Sequence, residues 1–425
     1  MIEIVKYTGQ PADELLRRAG AQAADVADKV RAILEDVRTR GDEAALDYSE
    51  RFDGVRPQSL LVSEQEMDEA LACVDKALLE TIRLAAANIE RFHLQQKRVG
   101  FIDATTDGVV MGQRVLPLKR VGLYVPGGTA RYPSSVLMDA IPARIAGVSE
   151  IVMTTPPDKA DKVPDAILAA ARVAGVTKIV KLGGAQAIAA LAYGTATVPR
   201  VDKIVGPGNV YVNTAKQLVY GQVDIDMIAG PSEILVLADG KSDPENVAAD
   251  LLSQAEHGEL SAAWLVTDSE ALAHSVAAEL EKQLPLLPRE AMARVSIQER
   301  GRIIVVDQLA KGVEVANDIA PEHLELCVDE PFALLPLVRN AGSVFLGRSC
   351  PESLGDYLAG PNHTLPTGGT ARFSSPLGVD DFVKRSSYLY YTDEALRRVG
   401  EHVERFALEE GLTAHARAVA VRRAK

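Results

Sequence analysis

Cysteine is scarce: Cys73, Cys327 and Cys350 are too few and too scattered to frame a disulfide-stapled fold. An excess of positive charge is missing as well. At a net charge of −13 the chain lacks the clustered Lys and Arg that phosphate backbones require, which argues against nucleic acid as a partner. The basic "VRRAK" at residues 421–425 is too short to alter that. No apolar run approaches the roughly 18 residues of a membrane span, and the opening "MIEIVKYTGQ" holds no secretory apolar segment. The expectation is a cytoplasmic protein with no membrane partner. A complete dinucleotide fingerprint is absent too: "GPGNVY" supplies Gly206 and Gly208, but Tyr211 stands where the third glycine belongs.

What is present is an ordinary globular composition, 47% hydrophobic and 25% charged, in 425 residues, long enough for two or three domains. Residues 11–99 read as amphipathic helices. From about residue 110, strands alternate with helices: "RVGLYVPGG", "EIVMTTPP", "TKIVKLGGAQAIAALAYG", "DKIVGPGNVYVNTAKQLV", "SEILVLAD", "AAWLVTD" and "GRIIVVD". That rhythm predicts an α/β fold with helix-covered parallel sheets. The helix after "SEILVLAD" should start at N-cap Asp243, with Pro244 at its first position. By pattern alone the Gly-rich segments are tight turns at the carboxyl ends of strands; a bound nucleotide and plain structural turns both stay open. Beyond about residue 370 the rhythm fails. An irregular arm ending in one helix has no core of its own and must bury that helix elsewhere, on another subunit for instance.

Polar residues gather where apolar ones are expected. Val247, Leu251, Gln254 and His257 fall on one helical stripe that turns polar at its end. "LEEGLTAHARAV" puts Leu408, Leu412, His415 and Val419 at helical steps, and "ESLGDYLAGPNHTLPTGG" carries Asp356 and His363 in a Gly/Pro-rich loop. A histidine facing a core needs partners for both nitrogens. Two histidines, a carboxylate and an amide oxygen could share a divalent metal; a helix-terminal histidine and ordinary loop residues would explain the same pattern. In "IAPEHLEL", Glu322 and His323 are a possible acid–base pair, or simply an exposed helix start.

Taken together, "GLYVPGG", "LGGAQAIAALAYGT", "DKIVGPGN", "AGPSEILVLAD", "DLLSQAEHG", "NDIAPEHLEL", "AGSVFLG", "SLGDYLAGPNHTLPT" and "EGLTAH" resemble, in order and along nearly the whole chain, the histidinol dehydrogenase family. The resemblance implies two incomplete Rossmann-like domains of the aldehyde-dehydrogenase kind. Residues 1–22 would form an N-terminal helical segment, 23–123 with 234–375 a discontinuous first α/β domain, 124–233 a second, NAD-binding one, and 376–425 a dimerisation arm. It implies one zinc ion per subunit, on Gln254, His257, Asp356 and His415, and a catalytic Glu322 and His323. Substrate contacts fall on Ser232, His363 and Glu410 besides those six, and NAD contacts on Tyr124, Gln186 and Asn209. The implied partner is L-histidinol, in a homodimer whose swapped arm completes the neighbour's site.

The implied reaction removes four electrons, so two hydrides go to two NAD molecules on the way from L-histidinol through the aldehyde to L-histidine. His323, at an ordinary pKa near ~6.5, would take the hydroxyl proton, and Glu322 would activate the water that hydrates the aldehyde. Protons released at each step favour alkaline pH. Three rivals use the same residues differently: a zinc hydrolase, a thiol aldehyde dehydrogenase built on Cys327 or Cys350, and a non-catalytic metal binder.

Overall fold

The computed structural model describes residues 1–16, 18, 26–127 and 132–424. Two parallel sheets dominate it. One has six strands in the order β1 (Glu3–Lys6), β11 (Arg302–Val305), β10 (Ala262–Thr267), β9 (Glu233–Ala238), β12 (His323–Cys327) and β13 (Ser343–Leu346). The other has five, in the order β6 (Lys178–Val180), β5 (Glu150–Thr154), β4 (Arg120–Tyr124), β7 (Lys203–Val205) and β8 (Asp224–Ile225). Every neighbouring pair in both sheets is parallel.

The sequence explains this arrangement. The runs "EILVLA" and "AAWLVT" are buried at every position, as strands covered on both faces must be. Alternate residues serve opposite cores: Ile234, Val236 and Leu265 join one, Leu235, Leu237 and Trp264 the other. The five-stranded sheet repeats the scheme, with Val121, Leu123 and Ile151 on one face and Tyr124, Val152 and Ile204 on the other. The expected helix start is present: Pro244–Ala255 opens behind Asp243, whose side chain accepts the Glu245 N–H at 2.9 Å.

Three parts of the chain depart from expectation. The N-terminal segment is not only helical, because β1 forms the edge of the six-stranded sheet. The helices between residues 27 and 94, grouped above with 234–375, pack instead on the five-stranded sheet: Val30, Ile33 and Val37 join Val180 and Ile188, while Met67, Ile82 and Ile89 join Leu123 and Ile141. The arm holds more than one helix. Its strand β14 (Val383–Tyr391) pairs antiparallel with β3 (Val109–Pro117), which also carries β2 (Phe101–Asp103). Two helices follow, Asp393–Glu409 and Thr413–Arg423, broken at Gly411, whose φ of 74° lies in the left-handed region.

Candidate metal and dinucleotide sites

The candidate acid–base pair stands at the amino end of β12. Ala320, with φ 50° and ψ 62°, turns the chain out of the helix Leu309–Ile319, and Pro321 leads into Glu322 and His323. A left-handed alanine is a strained choice of the kind that clusters at functional sites. Both side chains are buried, which rules out the exposed helix start. One neighbouring residue braces both of them: the backbone N–H of Glu233 donates to Glu322 Oε2 at 2.9 Å, and its carbonyl oxygen takes a bond from His323 Nδ1 at 3.0 Å. The Glu233 carboxylate is itself gripped in a two-pronged fashion by Arg18, at 2.9 and 3.1 Å.

Because Nδ1 must donate to that carbonyl, a neutral His323 carries its lone pair on Nε2. Nε2 is buried and has no hydrogen-bond partner among the described residues; its nearest charged neighbours there are Asp356 Oδ1 at 3.6 Å and Glu352 Oε1 at 3.9 Å. Burial alone would lower the pKa of this ring, but Glu322, Glu352 and Asp356 outweigh it and raise it to about 10. The ordinary value expected from sequence therefore does not hold, because three carboxylates surround the imidazole. Burial pushes Glu322 up to about 8 and Glu352 up to about 7.

Around Nε2 lies a donor set fit for a metal. His257, Glu352 and Asp356 each offer a ligand atom, all within 4.8 Å of one another. Gln254 ends its stripe fully buried at 0% exposure, whereas His257 lies beyond the helix end and is exposed. The stripe thus holds through Gln254 and then gives way to a turn. The Gln254 orientation that satisfies its surroundings has the amide nitrogen donating to both Glu352 oxygens, at 2.9 and 3.1 Å, and turns its carbonyl oxygen the other way. Nitrogen and oxygen donors with at least one carboxylate suit a borderline ion such as zinc. Glu352 is the residue that sequence reasoning missed. Its spacing four residues before Asp356, one helical turn, was the available signal.

His363 joins this site. Its Nδ1 donates to the Asp356 carbonyl at 2.9 Å, and its Nε2 lies 3.2 Å from Ser135 Oγ, with burial lowering its pKa. Ser232 immediately precedes β9 and is half-buried. Glu410 and His415 are not brought to the site within the chain. Both are exposed on the arm, as are Leu408 and Leu412 of the expected apolar stripe, while Val419 is half-buried.

The candidate dinucleotide residues lie at the carboxyl ends of the other sheet. Tyr124 closes β4, and its hydroxyl oxygen accepts the Gly184 N–H at 3.0 Å. Gln186, in the first turn of the helix Gly184–Tyr193, is fully buried, and neither of its amide atoms has a partner among the described residues. An orphaned buried amide is what a site for a polar ligand leaves when the ligand is lifted out. Asn209 is exposed and caps the helix Val210–Val219, accepting from Tyr211 N at 3.0 Å and Val212 N at 3.2 Å. Of the two cysteines considered as nucleophiles, Cys327 is buried, with its thiol pushed well up by burial, and Cys350 is half-buried.

Comparison with known proteins follows the same lines. A family model described as histidinol dehydrogenase matches residues 16–423. Histidinol dehydrogenase from Syntrophotalea carbinolica is 55% identical over 410 residues, 96% of this chain and 95% of that protein. The enzyme of the same name from Geobacillus kaustophilus is 56% identical over 390 residues, 92% of each. The crystal structure of histidinol dehydrogenase from Elizabethkingia anophelis superposes with a TM-score of 0.94 at 40% identity, covering 99% of this chain and 98% of that one. An NAD-dependent aldehyde dehydrogenase from Sinorhizobium meliloti shares the fold alone, at a TM-score of 0.50 and 14% identity over 86% of this chain and 87% of that one.

Proposed function

The chain belongs to the histidinol dehydrogenase family, oxidoreductases of histidine biosynthesis, and on that premise we propose that it oxidises L-histidinol through the aldehyde to L-histidine with two NAD molecules and one zinc ion per subunit. One observation carries the catalytic part: a buried, unpartnered His323 Nε2 beside Glu322, at the rim of a metal-capable donor set. Gln254, His257 and Asp356 would hold the zinc, with His415 of the partner subunit as fourth ligand. The zinc would supply a Lewis acid able to bind the substrate's nitrogens, and the NAD would supply the hydride acceptor.

The chain's own groups do the proton work. His323 Nε2 takes the substrate's hydroxyl proton as the first hydride leaves, while the Glu233 carbonyl holds the ring in the correct tautomer through Nδ1. A divalent cation among the same carboxylates offsets the charge that otherwise holds this ring protonated. Glu322, kept in place by the Glu233 N–H, draws a proton from the water that hydrates the aldehyde. Tyr124, Gln186 and Asn209 would hold the dinucleotide, and the orphaned amide of Gln186 supports that reading. Ser232, His363 and the partner's Glu410 would orient the substrate.

The arm supports a swapped homodimer. Val399, Val403 and Phe406, at 37%, 44% and 75% exposure, form an apolar stripe on its first helix that the described residues leave exposed, and His415 lies beyond it. No helix among the described residues is long and apolar enough to cross a membrane, and the reading remains cytoplasmic. The test is the number of NADH formed per histidinol consumed, with zinc measured on the same sample. Two NADH, lost on chelation and regained with zinc, is the expected result. One NADH, or full turnover by metal-free protein, overturns the reading.

A further inference from the structure

Two charged side chains that the reaction does not use are buried deep in the five-stranded half of the molecule. Lys216 is 0% exposed, and the Asp226 side chain facing it 1%. Lys216 Nζ pairs with Asp226 Oδ1 and also donates to the Gly206 carbonyl at 2.9 Å. The second oxygen of the same carboxylate, Asp226 Oδ2, accepts the Gly206 N–H at 2.8 Å. Both hydrogen-bonding groups of one glycine are thus held by the two ends of one ion pair.

Gly206 follows β7 directly and opens the turn that leads to Asn209. Its φ of 112° suits only glycine, and a β-carbon there would fall 2.2 Å from the Tyr124 carbonyl oxygen. The turn is tied down further on. Asn213 Nδ2 donates to the Gly208 carbonyl at 2.9 Å and to the Ala229 carbonyl at 2.6 Å. A buried ion pair is poor value for stability alone, since desolvation consumes most of its attraction and apolar residues of similar volume often serve as well. What apolar residues cannot do is donate to the carbonyl and accept from the N–H of one strained residue.

We propose that Lys216 and Asp226 are positioning residues for the cofactor, a clamp on Gly206 that sets where the Tyr124 end of β4, Asn209 and the start of the helix Val210–Val219 meet the dinucleotide. The proposal rests on the reading that this turn takes NAD. Its signature is selective: loss of the clamp weakens NAD and spares histidinol, whose site lies on the other sheet.

The experiment uses zinc-loaded full-length protein. NAD affinity is measured by calorimetry, KM for NAD and for histidinol from initial rates, and Tm on the same samples. Lys216→Met, which keeps the volume and removes the donor, should weaken NAD binding tenfold or more and raise its KM in parallel, with histidinol KM within threefold of wild type. A folded Lys216→Met protein that has a lower Tm but binds NAD within twofold of wild type overturns the proposal, because that is what a purely structural pair would give. Equal rises in both KM values overturn it as well. Should Lys216→Met fail to fold, Asp226→Asn serves, with at least a threefold loss of NAD affinity expected and no change refuting. Asn209→Ala and Gln186→Ala run alongside. If they weaken NAD while the clamp variants do not, the clamp alone is wrong; if none of the four does, the dinucleotide reading falls with it.

Discussion

Glu352 gives the sharpest test of how the proposed metal site is built. It is buried at 3% exposure, and its carboxylate takes both bonds from the Gln254 amide, at 2.9 and 3.1 Å. Glu325 Oε1 in turn accepts the Glu352 N–H at 2.7 Å, and Ser253 Oγ lies 3.3 Å from Glu352 Oε2. Glu352→Ala removes both anchors of Gln254 and frees its amide to rotate. Loss of such an outer partner typically costs about 10- to 100-fold in metal affinity, roughly 1.4–2.7 kcal/mol. Glu352→Gln keeps one accepting oxygen and should lose less. The assay is zinc competition against a chelator of known affinity, followed by turnover at saturating zinc, where the alanine variant should recover much of its activity. If Glu352 is instead a direct ligand, Glu352→Gln also loses affinity sharply, because a neutral amide then replaces an anionic ligand. Zinc binding by Glu352→Ala within twofold of wild type refutes both roles and reduces the Gln254–Glu352 contact to packing.

Glu322→Gln should harm oxidation of supplied histidinaldehyde far more than the alcohol step, and His323→Asn should slow the alcohol step by about a hundredfold, about 2.7 kcal/mol; equal small losses in both steps for Glu322→Gln would reassign that residue to structure. Co-expressing Asp356→Asn and His415→Asn chains, each inactive alone, should return roughly a quarter of wild-type activity, because half of randomly paired dimers are mixed and one site of each mixed dimer collects no defect; mixed dimers that stay dead would sink the swap. Burial, reinforced by Asp226, pushes Asp139 up to about 8, so the folded protein holds that proton from the ordinary carboxylate range up to about pH 8 and loses stability as pH rises through that window. Asp139→Asn removes this dependence, so its Tm relative to wild type should climb between pH 5 and pH 9; a constant difference would show Asp139 to be charged throughout.

Local patterns reached as far as local physics carries. "EILVLA" and "AAWLVT" could only be strands covered on both faces, Asp243 and Pro244 could only begin a helix, and Gln254 ended an apolar stripe because it is indeed buried. What local pattern missed was tertiary. "VKRSSYLYY" has little apolar periodicity, and its strand exists because β3, far away in sequence, offers an edge along all nine residues. Glu352 looked like an ordinary loop acid until the turn at residues 355–359 brought it against His323. The Lys216–Asp226 pair was invisible for the same reason: two unremarkable charges ten residues apart become a clamp only when β8 lies beside β7.

The placement of the two sites follows from charge. The turns expected to bind a ligand do lie at carboxyl ends, but only in the five-stranded sheet, where the helices Gly184–Tyr193 and Val210–Val219 begin. Helix N-termini carry unpaired N–H groups and the positive end of the dipole, which suits the pyrophosphate of a dinucleotide. The proposed catalytic pair, Glu322 and His323, lies instead at the amino end of β12, beside Glu233 at the amino end of β9. Glu322, Glu352 and Asp356 surround the His323 ring there. That is surplus negative charge, costly to bury unless something positive shares it. A divalent cation and a substrate bearing an amine and an imidazole would both answer that need, whereas a second anionic ligand would not. In the proposed reaction an anionic cofactor would sit on one sheet and a cationic substrate on the other.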